Sequence, residues 1–300
     1  MVNTIIYVAA YLIFAPIAGG LLAGTDRIIS ARMQGRVGPP ILQPFYDVFK
    51  LTEKEGVTVN KVQDFYVLCF FIFVVITGCM FFAGQNILMV IFALTLACVF
   101  LVVAAFSSNS PYAQVGAERE LLQIMAYEPM VLLTAVGFYK ATGSFEVAEI
   151  AASEKMAFLP LIGIFLGFVF ILTIKFRKSP FDLSMSHHGH QELVKGLTTE
   201  ISGRTLALIE AAHWFENIFL LGMVALFFTN GAPSGIIIGV VVSLCAYFLE
   251  IFIDNSFARM KWEFALNSSW IVAAVLGFIN LVVLYFPNIY VIHMLFNYFG

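Results

Sequence analysis

A glutamate followed by a proline lies in the middle of a long apolar stretch, in the segment LLQIMAYEPMVLL. The charged form of a side chain such as Glu128 costs several kcal/mol near the centre of a bilayer, so ionisable residues at that depth usually serve ion or proton pathways. Pro129 has no backbone N–H and frees the carbonyl group four residues earlier in a helix. We predict that Glu128 takes part in proton or ion movement, with a structural polar contact as the alternative.

Four polar side chains recur at helical spacing in the segment IEAAHWFEN. Glu210, His213, Glu216 and Asn217 fall on one face of a helix, because residues three, four and seven apart are neighbours there. A histidine titrates near neutral pH and can both accept and donate a proton. The pattern predicts a proton relay, with a polar stripe that joins neighbouring helices as the alternative.

Further ionisable residues lie nearer the ends of the apolar stretches. Glu250 and Asp254 are one helical turn apart, which fits a solvated helix end as well as a functional pair. A polar segment before the relay contains three histidines and two glutamates: His187, His188, His190, Glu192 and Glu200. It lacks the H-E-x-x-H register of zinc sites. We therefore interpret it as a docking loop or the entrance to a proton route, and predict no metal site in this chain.

Motifs for nucleotides and redox groups are absent from the sequence, which has no G-x-x-x-x-G-K-[ST], no G-x-G-x-x-G and no CxxC pair. We therefore predict that this chain holds no cofactor and that any redox chemistry comes from partner subunits. Nucleic acid is excluded as a partner, because the net charge is -3 and Lys and Arg total only 16.

The elements that must position these side chains are membrane-spanning helices. Apolar residues make up 61% of the chain and charged residues 12%, whereas soluble domains have about 45–50% and about 25%. A bilayer core needs about 20 apolar residues in a helix, and lipid offers no partner to an open backbone. The sequence therefore predicts an all-α integral membrane protein, one transmembrane domain over residues 1–300. The eight predicted spans are Ile5–Gly24, Phe65–Gly84, Ile87–Phe106, Leu121–Tyr139, Phe158–Ile174, Leu206–Phe228, Ile236–Ile253 and Ser269–Phe286.

The basic residues predict the orientation. Fourteen of the sixteen lie in the loops after spans one, three, five and seven, and the other two are Lys140 and Lys155. Cytoplasmic loops carry the excess of Lys and Arg, so we predict that both termini are extracytoplasmic. Two long cytoplasmic loops, residues 25–64 and 175–205, follow spans one and five, and we expect them to bind soluble partners.

Several motifs, in order along nearly the whole chain, resemble one family. The first loop reads TDRIISARMQGRVGPPILQPFYDVFKL, and GAERELLQIMAYEP, SPFDL, QEL, TEISG and DNSFARMK follow. Together they resemble the H-type membrane proteins of bacterial respiratory complex I, the NADH dehydrogenase subunit 1 family, which includes the membrane anchor subunits of group 4 energy-converting nickel–iron hydrogenases. The resemblance places Glu128 at the family's buried glutamate and places Asp182, Glu192 and Glu200 at its acidic loop positions.

Two departures from the quinone-using type look like the Ech-type hydrogenase branch. SMSHHGHQEL replaces a compact stretch rich in Glu, and IEAAHWFE has His213 where the quinone-using type tends to carry a carboxylate. The resemblance then implies a membrane anchor and ion-coupling subunit, without a catalytic centre, of a ferredoxin-dependent, hydrogen-evolving hydrogenase in the cytoplasmic membrane of a bacterium or archaeon. The implied partners are the hydrogenase large and small subunits with a nickel–iron centre, an iron–sulfur subunit, an antiporter-like membrane subunit and, indirectly, ferredoxin.

We expect two groups of residues to carry this role, with either protons or sodium ions as the moving species. The predicted coupling residues are Glu128, Asp182, Glu192, Glu200, Glu210, His213 and Glu216. The predicted docking residues are Asp26, Arg27, Arg32, Arg36, Asp47 and Lys50. One alternative is a complex I subunit with a quinone pocket lined by Phe45, Tyr46 and Phe49, although these aromatics serve helix packing equally well. The other alternative is a stand-alone secondary ion transporter, which the lack of an internal repeat disfavours.

Overall fold

The computed structural model of the chain describes residues 2–56, 60–184 and 195–286. Within them every regular element is helical, and the β-type contact is a single isolated bridge between Asn86 and Glu146. The α-helices are α1 Val2–Met33, α2 Gln43–Glu53, α3 Lys61–Phe82, α4 Ile87–Phe106, α5 Pro111–Thr142, α6 Val147–Ala152, α7 Ile162–Lys175, α8 Gly203–Leu226, α9 Pro233–Ser256, α10 Trp262–Val272 and α11 Ile279–Tyr285. A π-helical turn, Ala273–Phe278, joins α10 to α11 in one continuous helix.

Seven helices in the described part of the chain are long and apolar enough to cross a membrane: α1, α3, α4, α5, α8, α9 and the continuous helix Trp262–Tyr285. The fifth of the eight predicted spans is instead the shorter helix α7, which has 14 residues. Pro160 explains the late start, because a proline biases the residue before it away from helical geometry. The structure thus gives seven spanning helices and one short apolar helix where eight spans were predicted. The extracytoplasmic location of both termini stays a prediction.

Two helices extend further into the predicted loops than the sequence suggested. Residues 25–33, expected in the first loop, continue α1, and the same loop contains the amphipathic helix α2. Helix α5 begins at Pro111, so Glu120 lies well inside this helix rather than before it. Asp26 and Glu120 in these extensions contact other parts of the bundle and stabilise the longer helices, whereas Arg27, Arg32 and Glu118 are exposed.

The polar connections gather at one end of the bundle. We call the end that holds segments 34–56, 176–184, 195–202 and 255–261 the loop end. Its segments bind each other, as between Gln34 and Asn255 at 3.0 Å and between the Met260 N–H and the Pro180 carbonyl at 3.0 Å. At the opposite end the connections are tight, and the Phe158 N–H donates to the Phe227 carbonyl at 2.8 Å. The loop end is therefore the end that can hold a polar site.

Close approach between helices fixes the position of α8. A Cβ atom on Gly19 would lie 2.5 Å from the carbonyl oxygen of Trp214, so α1 and α8 touch through their backbones. Small residues permit such contacts between membrane helices. Because Trp214 follows His213, this contact also fixes the position of the histidine.

The proline in α5 has a specific compensation. Pro129 leaves the Met125 carbonyl without its helical partner, and the indole N–H of Trp270 donates to that carbonyl at 3.2 Å. Helix α10 thus satisfies the backbone group that Pro129 frees, next to Glu128. The break in the hydrogen-bond ladder of α5 is held by a neighbouring helix rather than left open.

Candidate functional site

Three cations lie at the end of α7, in the segment Lys175–Lys178. Lys175 and Lys178 are 8% and 7% exposed, and the side chain of Arg177 is 10% exposed. Arg177 has a φ of 52°, a left-handed conformation that is uncommon for a residue with a side chain and that ends the helix. Buried cations need anionic partners, and each of the three finds a carboxylate.

Arg177 joins two helices. Its guanidinium donates to Oε1 of Glu120 in α5 at 3.0 Å and lies 2.6 Å from Nε2 of His213 in α8. The hydroxyl of Ser184 donates to the other oxygen of Glu120. Burial lowers the pKa of Arg177, but the carboxylates of Glu120 and Glu216 outweigh burial and hold that pKa above its ordinary value. The arginine therefore remains charged.

Glu216 completes the connection to the interior of the membrane. Its Oε2 lies 3.3 Å from Nδ1 of His213, and its Oε1 lies 3.7 Å from Nζ of Lys175. Lys175 also sits over the ring of Tyr127 at 4.0 Å and lies 3.7 Å from the sulfur of Cys98. We call Glu120, Arg177, His213, Glu216 and Lys175 the ion-pair chain.

The charges of the ion-pair chain balance when His213 is neutral, because two carboxylates face one guanidinium and one ammonium group. Nη1 of Arg177 lies 2.6 Å from Nε2 and 3.0 Å from Nδ1 of His213, and Nδ1 also lies 3.3 Å from Glu216, so the imidazole contacts a cation and an anion at once. A proton added to His213 would give the buried chain a net positive charge.

Glu128 lies beside the inner end of the ion-pair chain. It is half-buried, and the hydroxyl of Thr95 lies 3.4 Å from its Oε1. A cavity of about 20 Å³ is lined by Glu128, Thr95, Tyr127 and Lys175 among mostly apolar side chains. A cavity of about 10–15 Å³ can hold one water molecule when polar partners are present. Glu128 and Lys175 therefore line the same small cavity.

A larger cleft opens at the loop end. Its volume is about 690 Å³, and α1, α9 and the segment after α7 line it. Lys178 lies 2.6 Å from Oδ2 of Asp26 and 3.8 Å from Oδ2 of Asp254, whose other oxygen accepts from the Ser179 N–H at 2.9 Å. The lining also includes Arg177, so the cleft touches the outer part of the ion-pair chain. Its charged lining residues are Asp26, Arg27, Arg36, Arg177, Lys178, Asp182, Asp254 and Arg259.

Asp182 is an acidic residue of the cleft lining whose proton affinity is altered. Arg259 binds its Oδ2, and Oδ1 has no hydrogen-bond partner among the described residues. Burial raises the pKa of Asp182 from 3.8 to about 7, although Arg259 and Arg177 act in the opposite direction. Asp182 can therefore change its charge within the physiological pH range.

The predicted docking residues form no continuous cluster in the described structure. Arg27 binds Asp47 of α2 at 2.5 Å, and Gln43 donates to the same carboxylate at 2.9 Å. Burial alone would raise the pKa of Asp47, but the hydrogen bonds from Arg27 and Gln43 hold it below its ordinary value. Arg36 contacts Gln34 on the surface. Asp26 instead faces inward to Lys178, and Arg32 and Lys50 are exposed.

Several other predicted residues lie apart from the ion-pair chain. Glu200 and Glu210 are half-buried, and no contact in the described structure joins them to it. Asn217 lines the cleft. Glu192 and the three histidines His187, His188 and His190 lie outside the described residues. Phe45 packs against Trp214 with ring centroids 5.0 Å apart, and Tyr46 and Phe49 are exposed; none of the three lines the cleft.

The sequence reasoning missed the residues that pair with the predicted ones. Lys175, Arg177 and Lys178 contribute to the sequence prediction only as markers of orientation, and Glu120 has no predicted role in it. The available signal was the run KFRK directly after an apolar stretch shorter than the others. Three cations at the end of a short apolar helix need acids on neighbouring helices, and Glu120, Glu216 and Asp26 supply them.

The comparison with known proteins identifies the family. The model of the NADH dehydrogenase family matches residues 5–285. The chain belongs to this family. Hydrogenase-4 component C of Escherichia coli (strain K12) is 26% identical over 84% of this chain and 87% of its own length. The H subunit of the NADH-quinone oxidoreductase of Geobacillus kaustophilus (strain HTA426) is 29% identical over 90% of this chain and 89% of its own length.

The fold of this family also occurs in a solved structure. A chain of the membrane-bound sulfane sulfur reductase, an archaeal respiratory membrane complex, has a TM-score of 0.77 and 22% identity over 92% of this chain and 99% of that chain. This likeness shows the fold. By family and by its apolar helices, the chain is a multi-pass membrane subunit of the complex I-like type, and its relatives are subunits of oxidoreductase complexes.

Proposed function

We propose that this chain is the membrane anchor and ion-coupling subunit of an energy-converting nickel–iron hydrogenase in the membrane of a bacterium or archaeon. It links ferredoxin oxidation and hydrogen evolution in soluble partner subunits to translocation of protons or sodium ions. The nickel–iron centre and the iron–sulfur clusters belong to those partners. In this arrangement the loop end faces the cytoplasm and carries the soluble subunits, with Arg27, Arg32, Arg36 and Lys50 at its surface.

The observation that carries this proposal is the ion-pair chain. It runs from the cleft at the loop end, through Arg177 and His213, to Lys175 and the small cavity beside Glu128. Each contact is short enough for a change in one group to alter the next. Such a chain connects a site for soluble partners with an ionisable group at membrane depth.

The coupling is electrostatic. Two unit charges about 6 Å apart interact by about 3 kcal/mol at an effective dielectric constant of about 20. A charge change near Asp182 or Arg177 therefore acts electrostatically on His213. A charge change on His213 acts in turn on Glu216. Coupling free energies between sites are typically about 1–3 kcal/mol. The charge state of the soluble arm then decides when Glu128 takes up or releases a proton.

Two features favour a hydrogenase over other members of the family. One of the relatives is a hydrogenase component, Hydrogenase-4 component C. In addition, the chain has a histidine in the middle of its buried relay, where His213 bridges Arg177 and Glu216. The charged lining of the cleft also agrees with a coupling role that does not involve a lipid-soluble substrate.

The test is a neutral substitution at Glu128 in the complete membrane complex. We expect Glu128→Gln to abolish the pH gradient that inside-out vesicles build with reduced ferredoxin, while hydrogen evolution by the detergent-solubilised complex continues. Glu149→Gln is the matched control, because Glu149 is an exposed carboxylate at the opposite end of the bundle. Unchanged ion transport in Glu128→Gln would reject the coupling role of this residue.

The partner assignment needs a separate test. An affinity tag on this chain should copurify a nickel-containing large subunit and iron–sulfur proteins from detergent extracts. Metal analysis of the purified complex should then give nickel together with iron. A complex that contains iron–sulfur clusters and flavin but no nickel would reject the hydrogenase assignment and leave the family membership intact.

A second function, a quinone-site subunit of a respiratory complex, is favoured by the size of the cleft. Its 690 Å³ lie within the usual range of ligand pockets, and the Geobacillus relative is named for quinone reduction. Ligand pockets are mostly apolar, however, and this cleft is lined by eight charged residues. Bound quinone in the purified complex, or reduction of a short-chain quinone that Asp182→Asn alters, would establish this second function.

A further inference from the structure

Glu250 stands apart from the ion-pair chain as a second buried carboxyl group. It lies in α9, is 0% exposed, and both of its carboxyl oxygens have no hydrogen-bond partner among the described residues. The sequence left it open whether Glu250 belongs to a solvated helix end, and the structure excludes that interpretation. Burying an ionised carboxylate without a partner costs more free energy than most single contacts in a folded protein contribute.

The surroundings of Glu250 are apolar on the sides and charged at one end. Helix α9 packs against α1, α8 and α7, and Tyr247 and Ile251 on either side of Glu250 form a cluster with Leu221 of α8 and Leu22 of α1. The hydroxyl of Tyr247 donates to the Leu22 carbonyl at 3.4 Å. These neighbours exclude water from the carboxyl group and offer it no hydrogen bond.

The charged groups that act on Glu250 lie toward the cleft. They are Lys178, from the segment after α7, and Asp254, one turn along α9. From α1, Asp26 faces Lys178 at 2.6 Å. From α8, His213 and Glu216 are engaged with Arg177 and Lys175. Lys178 is thus shared between two aspartates, and a movement toward Glu250 would bring it a third carboxylate partner.

We propose that Glu250 is a proton-binding site, a neutral carboxylic acid at rest, that exchanges its proton with the charged cleft through Asp254 and Lys178. This site deepens the proposed function and, for its role in translocation, rests on it. The position of the carboxyl group between an apolar cluster and a movable ion pair carries the inference. A neutral acid needs no counter-ion in this place, whereas an ionised one needs Lys178.

The exchange conserves charge and atoms. The O–H bond of Glu250 breaks, the proton forms an O–H bond on Asp254, and Lys178 turns from Asp254 toward the new carboxylate of Glu250. Residues four apart on a helix have Cβ atoms about 5–6 Å apart, so one side-chain rotation or one water molecule closes the gap. The side chain of Asp254 is 33% exposed, so the proton can leave from there into the cleft.

The direct test is infrared difference spectroscopy of the purified complex. All samples carry Asp182→Asn, because Asp182 also has a raised pKa and would add a band of its own. Between acidic and alkaline buffer, with no redox reaction, the complex with wild-type Glu250 should show the loss of a protonated-carboxyl band that shifts in heavy water. Glu250→Gln should lack this band. Glu263→Gln, which removes an exposed carboxylate at the same end, should retain it. A band that persists in Glu250→Gln, or that is missing from the wild type, overturns the proposed site.

Assembly provides a second measurement that does not depend on spectroscopy. Because a neutral acid has no ionic partner to lose, Glu250→Leu should yield an amount of intact complex within about twofold of the wild type, a change of about 0.4 kcal/mol. If Glu250 were ionised and paired with Lys178, the same substitution would remove an anionic partner of this buried lysine. A decrease of about tenfold or more in intact complex would then overturn the neutral assignment.

The role in translocation is tested separately. On reduction by ferredoxin, the same carboxyl band should change in the wild-type complex, and Glu250→Gln should reduce the ions moved per hydrogen molecule at least about twofold. A redox-insensitive band, or unchanged ion movement in Glu250→Gln, overturns this role. If the wild-type complex moves no ions at all, the proposed function fails, while the pH-induced band still decides whether Glu250 binds the proton.

Discussion

Two buried glutamates in this protein have opposite surroundings: one has ionic partners and the other has no hydrogen-bond partner among the described residues. Glu216 in α8 is 3% exposed and lies between His213 at 3.3 Å and Lys175 at 3.7 Å. Glu250 in α9 is 0% exposed and has no hydrogen bond within the described structure. The first is an ionised member of a balanced set of charges. The second has apolar side chains on its sides and, in the proposal above, holds a proton at rest.

The difference shows how a membrane protein can hold two kinds of proton site a short distance apart. A paired carboxylate keeps its charge and transmits changes in its partners, because each change shifts the balance of the whole chain. An unpaired carboxyl group stores a proton and releases it only when a cation approaches. A glutamate side chain thus transmits electrostatic changes in α8, and a second glutamate holds a proton in α9.

The largest expected effect is the loss of Glu216. Glu216→Leu leaves the ammonium group of Lys175 buried without its anion, and we expect a loss of about 3–5 kcal/mol in stability. The double variant Glu216→Leu/Lys175→Met should recover most of this loss, since replacing both members of a buried pair is often neutral. Thermal unfolding of the purified complexes measures both. Equal losses in the double variant and in Glu216→Leu would show that the pair is not the cause.

A smaller effect is expected at the guanidinium that joins α5 to α8. Arg177→Lys keeps the positive charge but replaces the planar group that reaches both Glu120 and His213 with a single ammonium group. We expect a loss of about 1.5–3 kcal/mol, the usual value of a hydrogen bond to a charged group. Vesicles with this variant should also build a smaller pH gradient per hydrogen molecule. The conservative exchange Lys155→Arg is the control, since Lys155 is exposed at the opposite end of the bundle.

The third prediction concerns pH. Because burial raises the pKa of Asp182 from 3.8 to about 7, the native protein holds a proton there that the unfolded chain releases. The stability that this proton contributes therefore falls as pH rises from 3.8 through about 7. Asp182→Asn, which is neutral at every pH, should flatten this part of the pH dependence of the melting temperature. Asp47→Asn should leave it unchanged, because the pKa of Asp47 is lowered.

The smallest effect is expected at the surface. Arg27 and Asp47 form an ion pair with side chains 45% and 38% exposed, and exposed pairs contribute about 0.2–1 kcal/mol. Arg27→Ala should therefore lower the melting temperature of the chain only slightly. If docking of soluble subunits uses this surface, the same variant should weaken their copurification at low salt more than at high salt, because salt screens exposed charges. Equal yields at both salt concentrations would remove Arg27 from the docking surface.

The sequence predicted the features that depend on local pattern. Long apolar runs located the spanning helices, because the bilayer permits few alternatives to a helix, and the spacing of His213 and Glu216 predicted their contact. The shorter α7 was missed although Pro160 marks its start. The continuation of α1 through residues 25–33 was missed because its stability comes from tertiary contacts, such as that of Asp26 with Lys178.

The partners of the predicted residues were beyond the sequence for a physical reason. Arg177 lies 57 residues from Glu120 and 36 from His213 along the chain, and only the packing of α5, α7 and α8 brings them together. The burial of Glu250 likewise depends on how α9 is covered by α1 and α8. Residue type and spacing can identify a candidate ionisable group, but whether it is paired, solvated or enclosed is decided by the neighbouring helices.

The position of the cations at the end of the short helix α7 affects how strongly a charge change at the loop end acts inside the bundle. Its 14 residues span about 21 Å, whereas the hydrocarbon layer is about 30 Å thick. Neighbouring helices surround α7, so the bilayer does not have to thin around it. Its terminal cations are buried among the neighbouring helices, where mobile salt shields them little. A field that originates at the soluble arm would therefore act on these cations with little screening.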